Sequence, residues 1–378
     1  MSTYAAIAAA LLWGGLLLAP WRPFSSRERL EADGGLVEEK ADFSDVVVLI
    51  PARNEADRIA DTLKALSSQG KNLKIVVTDD QSADDTVAVV EDLALAQVVL
   101  VKGEPLPAGW SGKVWAQAQA QAALDRPLTL LVDADIRFSP GLLATLRKKL
   151  ESESAELVSL MVELPMKSLW ERLLMPAFVY FFKLIYPFRL VNDPRSRMAA
   201  AAGGCILLET RIIREIGGFD ALKDALIDDC TLARLAKRRD ERIWLGLTRS
   251  ARSTRGYDGL GAIWNMVART AFTQLRYSNI LLILCVFLMG LAYIVPVAGL
   301  GTSSATTTSF SGIALLMMTA SYVPTIRFYG LHPAWSLTLP AAALLFLAMT
   351  LTSAVRYWNG DRSAWRGRVY RRQSAAGT

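Results

Sequence analysis

The chain has 378 residues, which leaves room for two domains or for one large domain with appendages. Its three scattered cysteines exclude a disulfide framework and a cysteine-spaced metal site, and they favour a chain that faces the reducing cytoplasm. The net charge of +6 comes largely from Arg356–Arg372, where six arginines accompany one aspartate beside apolar spans, so the partner predicted for this charge is an anionic membrane surface and not nucleic acid.

The N-terminal segment Tyr4–Trp21 is 18 residues long and contains no charged side chain. No basic residue precedes it and Trp21-Arg22-Pro23 is a poor cleavage site, so we predict an uncleaved membrane anchor (residues 1–21) and not a signal peptide. Arg22, Arg27 and Arg29 follow the anchor and place the next segment on the cytoplasmic side. Residues 22–44 are predicted to be a linker.

From Asp45 onward, short apolar runs alternate with segments of helical periodicity. This alternation predicts an α/β fold with a mostly parallel sheet that is covered on both faces. The predicted strands are Val46–Ile50, Lys74–Thr78, Val98–Val101 and Leu128–Val132. The predicted helices are Ile59–Leu66, Asp84–Leu95 and Lys113–Leu124.

Polar clusters follow three of these strands. They are Pro51–Glu55, Asp79–Thr86 and the pair Asp133 and Asp135. Parallel topology brings the carboxyl ends of strands to one edge of the sheet, which is where ligands bind in open α/β folds. Within the second cluster, Asp84 and Asp85 are interpreted as helix caps.

The Asp-x-Asp pair at the end of Leu128–Val132 has two interpretations. Two carboxylates one residue apart could share a hard divalent cation, which in turn could hold a diphosphate. The alternative is a solvated acidic turn after a buried strand. Ser139-Pro140 then predicts the cap and first position of a new helix.

As a spaced set, these motifs resemble the family 2 glycosyltransferases, which have a nucleotide-sugar-binding (GT-A-like) α/β fold. Gly217-Gly218-Phe219-Asp220 and Ile227-Asp228-Asp229 resemble the Gly-Gly-Phe and acidic-pair motifs of that family. The resemblance covers Val46–Tyr277, and residues 45–277 are therefore the predicted catalytic domain. Leu106–Lys113 and Ala202–Cys205 resemble the hopene-associated branch, and ceramide glucosyltransferases are the nearest neighbouring description.

The resemblance implies a role for individual residues. Asp135, and less directly Asp133, would hold Mg²⁺ or Mn²⁺ on the diphosphate, and Lys113 would meet phosphate at a helix start. Asp229, in a pair with Asp228, would take a proton from the acceptor hydroxyl. The pocket for the base and ribose of the donor would be lined by Pro51, Ala52, Arg53, Glu55 and Asp80, with Asp79 supporting the turn. The acceptor side would include Gly204, Thr273 and Tyr277.

One stretch departs from the family pattern. Related processive and lipid-directed members carry Gln-x-x-Arg-Trp after the acidic pair, whereas this chain has Thr273-Gln274-Leu275-Arg276-Tyr277. The resemblance implies that Arg276 clamps the donor diphosphate. The alternative is that Arg276 is the positive flank of the next membrane span.

Two further regions are predicted to meet the membrane. Leu169–Leu190, aromatic with scattered cations, fits either an interfacial segment or a core helix. Residues 278–358 form a transmembrane region, in which Ile280–Leu300 is a span, Pro333–Tyr357 contains another and Ser311–Tyr329 is weaker. Three spans would put the basic tail (residues 359–378) on the far side, whereas two spans with a re-entrant segment would return it to the cytoplasm.

The apolar spans and the arginines after the anchor predict a multi-pass protein of the inner membrane with a cytoplasmic catalytic domain, and the resemblance implies an enzyme. It would be an inverting, metal-dependent glycosyltransferase that moves a sugar from a nucleotide diphosphate, UDP by preference, to a lipid hydroxyl such as that of a hopanoid. Transfer to a polyisoprenyl phosphate is the alternative reaction. A membrane scaffold with a degenerate transferase domain is the alternative from a different functional class.

Overall fold

The computed structural model describes residues 2–33, 41–365 and 368–371. The chain divides into two compact units. The first, called the sheet unit here, consists of Glu28–Pro165 and Leu190–Gly256. The second, called the helical unit, consists of Met1–Arg27, Met166–Arg189 and Tyr257–Thr378.

An eight-stranded sheet forms the centre of the sheet unit. Its strands are β1 (Val46–Ala52), β2 (Lys74–Asp79), β3 (Val98–Lys102), β4 (Leu128–Val132), β5 (Ile136–Phe138), β6 (Leu157–Glu163), β7 (Cys205–Glu209) and β8 (Ile243–Ser253). Their order is β3-β2-β1-β4-β7-β6-β8-β5, with the first four strands mutually parallel. β7 runs antiparallel to β4 and β6, β8 is parallel to β6, and β5 is antiparallel to β8. The predicted α/β class with a mostly parallel sheet is confirmed.

Buried apolar runs explain why the central strands form where the sequence predicts them. Every residue of β1 is buried, as expected for a parallel strand covered on both faces. β1 and β2 continue one or two residues beyond their apolar runs, to Ala52 and Asp79. The polar clusters therefore begin on the strands themselves.

Helices cover the sheet at Ile59–Ser67, Thr86–Asp92, Gly112–Gln119, Leu142–Ser152, Thr210–Glu215 and Asp228–Lys237. The first of these buries Ile59, Leu63 and Leu66 in the main core, to which β1 and β2 also contribute. Each such buried side chain stabilises the fold by about 1.5–3 kcal/mol relative to an exposed one.

The helix predicted to begin at Ser139-Pro140 begins later, at Leu142. Ser139 still belongs to the sheet edge, because its N–H donates to the carbonyl of Ser250 at 2.7 Å. Gly141 then takes a left-handed conformation with φ of 80°, which turns the chain into the helix. Ser139 is therefore not the helix cap.

The helical unit contains helices at Thr3–Leu18, Leu169–Ile185, Leu260–Ala268, Ala271–Gln274, Asn279–Met289, Val295–Gly299, Ala305–Phe328 and Leu339–Trp358. Among the described residues, three segments are long and apolar enough to cross a membrane: Asn279–Gly299, Ala305–Phe328 and Pro333–Trp358. Thr3–Leu18 is apolar but shorter, so the N-terminal anchor stays a prediction.

The aromatic segment after β6 forms the helix Leu169–Ile185. It opens with a reciprocal capping box between Ser168 and Glu171. Lys183 is buried and donates to the Thr325 hydroxyl at 2.8 Å and to the Ser25 carbonyl at 3.0 Å. Because its cation is satisfied inside the helical unit, these contacts favour the core helix over the interfacial segment.

Two predicted boundaries differ from this division. Part of the predicted linker 22–44 belongs to the sheet unit, where Leu30 and Leu247 are joined through the Leu30 N–H at 2.9 Å. Residues 34–40 of that linker lie outside the described residues. Within the predicted catalytic domain, residues 166–189 and 257–277 cluster with the helical unit. In the basic tail, Asp361–Trp365 pairs with Arg368–Arg371, and residues 372–378 lie outside the described part.

Candidate active site

The three polar clusters meet at one edge of the sheet. β2, β1 and β4 are adjacent and parallel, so their carboxyl ends point the same way. The prediction that topology gathers these clusters is confirmed. The edge is the position at which open α/β sheets bind ligands.

The loops after β1 and β2 brace one another. The Arg53 guanidinium donates to the carbonyls of Asp80 and Gln81, the latter at 2.9 Å. Asn54 receives a hydrogen bond from the Ala83 N–H at 2.8 Å, and its own N–H donates to Ser82 at 2.9 Å. Most of this network joins side chain to backbone, which fixes the shape of the edge.

Asp79 and Asp80 end β2 with different surroundings. The carboxylate of Asp79 accepts the Ser82 N–H at 3.1 Å, which is the turn-supporting contact predicted for it. Its other oxygen, Oδ1, is buried and has no partner among the described residues. The carboxylate of Asp80 is fully buried, 3.9 Å from the Arg53 guanidinium. Pro51 and Ala52 are buried in β1 itself.

The capping interpretation holds for Asp84. Its carboxylate accepts the N–H groups of Ala56 and Thr86, both at 3.1 Å. Asp85 occupies the N-cap position without a side-chain cap bond. The Asp84 carboxylate therefore belongs to the loop structure, whereas the Asp85 side chain is exposed.

A second group of side chains surrounds Lys113. Lys113 lies on helix Gly112–Gln119, and its Nζ is 2.8 Å from Oδ1 of Asp133 and 3.6 Å from Oδ2 of Asp228. Burial lowers the pKa of Lys113, but the carboxylates of Asp133 and Asp228 outweigh it and raise that pKa above its ordinary value. Burial also raises the pKa of Asp133, and Lys113 opposes the rise.

Asp228 and Asp229 are the first two residues of helix Asp228–Lys237. Asp229 accepts the Cys230 N–H at 2.7 Å, whereas Asp228 makes no capping bond and pairs with Lys113. The Asp228 carboxylate therefore faces the lysine and does not cap the helix. Burial, reinforced by Asp228, raises the pKa of Asp229 to about 6.

Gly203 lets this cluster close. A β-carbon at this position would stand 3.0 Å from Oδ2 of Asp229 and 3.1 Å from Nζ of Lys113. At Gly204 it would meet the Val162 side chain at 3.0 Å. At both Gly203 and Gly204, close packing leaves no room for a larger side chain.

Arg255 is a site residue that the sequence reasoning missed. Its Nη2 donates to both carboxylate oxygens of Glu55, at 2.6 Å for Oε1, and its Nε lies 3.3 Å from Oδ2 of Asp135. Ser253 also donates to that oxygen of Asp135, at 2.7 Å. Burial raises the pKa of Glu55 to about 7, and Arg255 opposes the rise. The signal was an arginine just after a strand, but β8 itself was not among the predicted strands.

Asp133 and Asp135 offer oxygen atoms suited to a hard cation. One oxygen of each, Oδ2 of Asp133 and Oδ1 of Asp135, makes no hydrogen bond or ion pair with any described residue. The Asp133 side chain is 36% exposed. Throughout the described residues, no group of three or more His, Cys, Asp or Glu side chains has the arrangement of a metal site. The pair thus fits a cation that takes further oxygens from a ligand, as Mg²⁺ commonly does with phosphates.

Thr273, Arg276 and Tyr277 belong to the helical unit. Thr273 donates to the Tyr277 hydroxyl at 3.1 Å, and the Tyr277 ring stacks on Tyr357 with centroids 4.4 Å apart. Arg276 and Tyr277 both have left-handed backbones, with φ of 53° and 55°. Two consecutive non-glycine residues in this region cost about 1–3 kcal/mol each. The stack and hydrogen bond hold the strained pair in place.

One family model and one curated relative are similar to part of the chain. Residues 47–217 match the model described as Glycosyl transferase family 2. The 4,4'-diaponeurosporenoate glycosyltransferase of Staphylococcus haemolyticus is 31% identical over 94 residues, 25% of each chain. In that match the chain spans about a quarter of the relative's length.

Comparison with solved structures addresses the fold. The mannosyltransferase PcManGT from Pyrobaculum calidifontis, in complex with GDP-Man and Mn²⁺, is 18% identical with a TM-score of 0.55, covering 94% of this chain and 99% of its own. Glucosyl-3-phosphoglycerate synthase from Mycobacterium tuberculosis, with Mn²⁺ and UDP-Glc, is 20% identical over 64% of this chain and 82% of its own, and its TM-score of 0.39 is too low to establish a common fold. Residues 47–217 are therefore similar to glycosyl transferase family 2, and the sheet has a fold of the GT-A type.

Proposed function

We propose that this chain is an inverting, metal-dependent glycosyltransferase of the cytoplasmic membrane. It moves a sugar from a nucleotide diphosphate, UDP by preference, to a lipid hydroxyl, with a hopanoid as the first candidate. The observation that carries the proposal is the grouping of Lys113 with Asp133, Asp228 and Asp229 at the carboxyl edge of the parallel sheet. The match of residues 47–217 to glycosyl transferase family 2 supports it.

On the donor side, the braced loops after β1 and β2 take the nucleotide. Asp80 and the unpartnered Oδ1 of Asp79 provide acceptors for N–H or O–H groups of the base and ribose. Arg53 is committed to backbone carbonyls, so its part is to hold the loop. Lys113 meets the diphosphate.

Asp135 and Asp133 hold Mg²⁺ or Mn²⁺, because their unpaired oxygens are hard ligands. When bound, the cation supplies Lewis-acid stabilisation of the departing diphosphate. PcManGT forms a complex with GDP-Man and Mn²⁺, which is consistent with this use of the site. Arg255 holds Asp135 and links it to Glu55.

Asp229 is the base on the acceptor side. It takes the proton of the acceptor hydroxyl while that oxygen attacks the anomeric carbon and the carbon–oxygen bond to the diphosphate breaks. A single displacement inverts the anomeric centre and needs one base. The raised pKa of Asp229, about 6, is suited to general-base work near neutral pH.

The membrane assignment rests on the apolar helices. Among the described residues, three segments long enough to span a bilayer follow Gly256 in the chain, and Arg22, Arg27 and Arg29 follow the apolar helix Thr3–Leu18. A lipid acceptor would reach the site from the membrane, while the nucleotide sugar would come from the cytoplasm. The hopanoid preference rests on the resemblance of Leu106–Lys113 and Ala202–Cys205 to the hopene-associated branch.

The deciding experiment uses the full chain purified in detergent. UDP-sugars and GDP-sugars are supplied one at a time with Mn²⁺ and a hopanoid alcohol, a ceramide or a polyisoprenyl phosphate, and nucleotide release and glycolipid are measured. We expect glycolipid from a UDP-sugar and a neutral lipid alcohol. Product only with polyisoprenyl phosphate would replace the acceptor class, and neither transfer nor donor hydrolysis would favour the scaffold. A lipid comparison of a deletion strain with its parent then identifies the native acceptor.

A further inference from the structure

A small cavity lies within the sheet unit, and Asp228 and Asp229 are among the residues that line it. The space open to the centre of a water molecule is about 10 Å³, which is room for about one water. Lys113, Gln117, Asp228 and Asp229 provide its polar wall. The apolar wall consists of Leu131, Ile206, Phe219, Leu222 and Leu232.

Gln117 is the one member of the polar wall to which the proposed reaction gives no part. It follows Lys113 by one helical turn, so the two side chains share a face of helix Gly112–Gln119. Gln117 is 4% exposed, and its amide makes no hydrogen bond with any residue in the described part of the chain. Leaving a buried amide unpaired costs about 1–3 kcal/mol.

Neighbouring glutamines on the same side of the sheet show the contrast. Gln119 accepts the Glu104 N–H at 2.6 Å, and Gln121 accepts the Phe219 N–H at 3.0 Å. Both amides are used to fix loops. Gln117 points instead to a space with polar groups around it and room for one small partner.

We propose that this cavity binds a water molecule that joins the Gln117 amide to the Asp229 carboxylate, so that Gln117 positions the base of the reaction. The cavity meets the requirements of a buried water, which needs room for about one molecule and two to four polar partners. The inference rests on the proposed function only in calling Asp229 the base. The water site itself rests on the cavity and its lining.

The expected consequence follows from what already faces Asp229. Burial and the neighbouring Asp228 raise the pKa of Asp229, while Lys113 and the N–H groups of Cys230 and Gly203 lower it. A water held by Gln117 adds one more donor to the ionised carboxylate. Removing it would disfavour the ionised form and raise the pKa of Asp229 further.

The test replaces Gln117 by methionine, which keeps the length of the side chain and removes its hydrogen bonds. Gln119→Met is the matched control, because it makes the same chemical change on the same helix outside the cavity lining. The titration of Asp229 is followed by the infrared carboxylate band, as the difference between each protein and its Asp229→Asn counterpart. The pH profile of kcat/KM and the affinity for UDP are measured alongside.

We expect Gln117→Met to raise the Asp229 midpoint by about 0.5–1 pH unit, since one hydrogen bond to a charged group is lost. The acidic limb of kcat/KM moves by the same amount, UDP affinity stays unchanged, and Gln119→Met leaves both profiles in place. An unchanged midpoint in Gln117→Met, or an equal shift in the control, overturns the inference. If Gln117→Met does not fold, Gln117→Asn, whose shorter amide draws back from the water, must give a shift in the same direction. The infrared shift without any sugar transfer would uphold the water site while rejecting the proposed function.

Discussion

Nη2 of Arg255 lies 2.6 Å from Oε1 of Glu55, a contact between residues 200 positions apart in the chain. The Glu55 side chain is 6% exposed and that of Arg255 is 21% exposed. A carboxylate withdrawn from water is costly unless it is paired. The contact therefore ties the end of β1 to the segment after β8, and through Nε of Arg255 it reaches Asp135 as well.

Arg255→Met should lower the free energy of unfolding by about 3 kcal/mol, because it leaves Glu55 buried without its partner. Urea unfolding followed by circular dichroism measures the change. The double variant Arg255→Met, Glu55→Gln should recover a large part of it, since the unpaired charge is gone. If the loss of stability in the double variant equals the sum of the losses in Arg255→Met and Glu55→Gln, the two side chains are not energetically coupled.

Gly203→Ala should reduce kcat by about 10–100-fold with little change in UDP affinity. The added methyl would press on Oδ2 of Asp229 and Nζ of Lys113, and small displacements of reacting groups are costly. Gly261→Ala is the control, because a β-carbon there meets nothing within 4 Å. Steady-state kinetics on both proteins decide the matter, and a Gly203→Ala enzyme as fast as its parent would mean that the cluster adapts freely.

Asp229→Asn should lower turnover by about 10²–10⁴-fold while UDP binding is nearly unchanged, because the amide cannot accept a proton. In the parent, kcat/KM should fall as the pH drops through about 6, since the base works only when ionised. This pH dependence is opposite to that expected for a general acid, for which kcat/KM would fall as the pH rises. A normal rate in Asp229→Asn would reject the base and favour an acceptor that is already ionised.

Asp135→Ala should remove most of the Mn²⁺-dependent gain in UDP affinity while the fold persists. Asp135 and Asp133 each offer one unpaired carboxylate oxygen to the cation, whose other proposed ligand is the diphosphate. Because the protein provides so few ligands, the loss of Asp135 should weaken binding of the cation strongly. UDP is titrated by calorimetry with and without Mn²⁺. Asp84→Ala is the comparison, because its carboxylate is used by backbone N–H groups. Equal enhancement by Mn²⁺ in Asp135→Ala and its parent contradicts the metal assignment.

A reporter fused after Arg29 should behave as cytoplasmic, because Arg22, Arg27 and Arg29 follow the apolar helix Thr3–Leu18. An alkaline phosphatase fusion and a green fluorescent protein fusion at the same position give opposite signals on the two sides. A periplasmic result would overturn both the orientation and the source of the donor.

The α/β class, the four parallel strands and the meeting of their polar ends were predictable from the residues alone. These features follow from local patterns, since an apolar run specifies a buried strand and parallel topology specifies where its end lies. The apolar spans were readable for the same reason, because length and composition alone define them. β1 and β2 end one or two residues later than predicted, because residues beyond the apolar run can continue the hydrogen bonding between strands once it is formed.

Which side chains touch became apparent only in the folded chain. Arg255 reaches Glu55 across 200 residues, and Gly203 packs against Asp229. The start of the helix at Leu142 depends on the pairing of β5 with β8, which the local sequence does not predict. Such contacts are set by the packing of segments that are distant in the sequence. A buried charge is costly unless it is paired, so the stable fold is one that places a partner beside it.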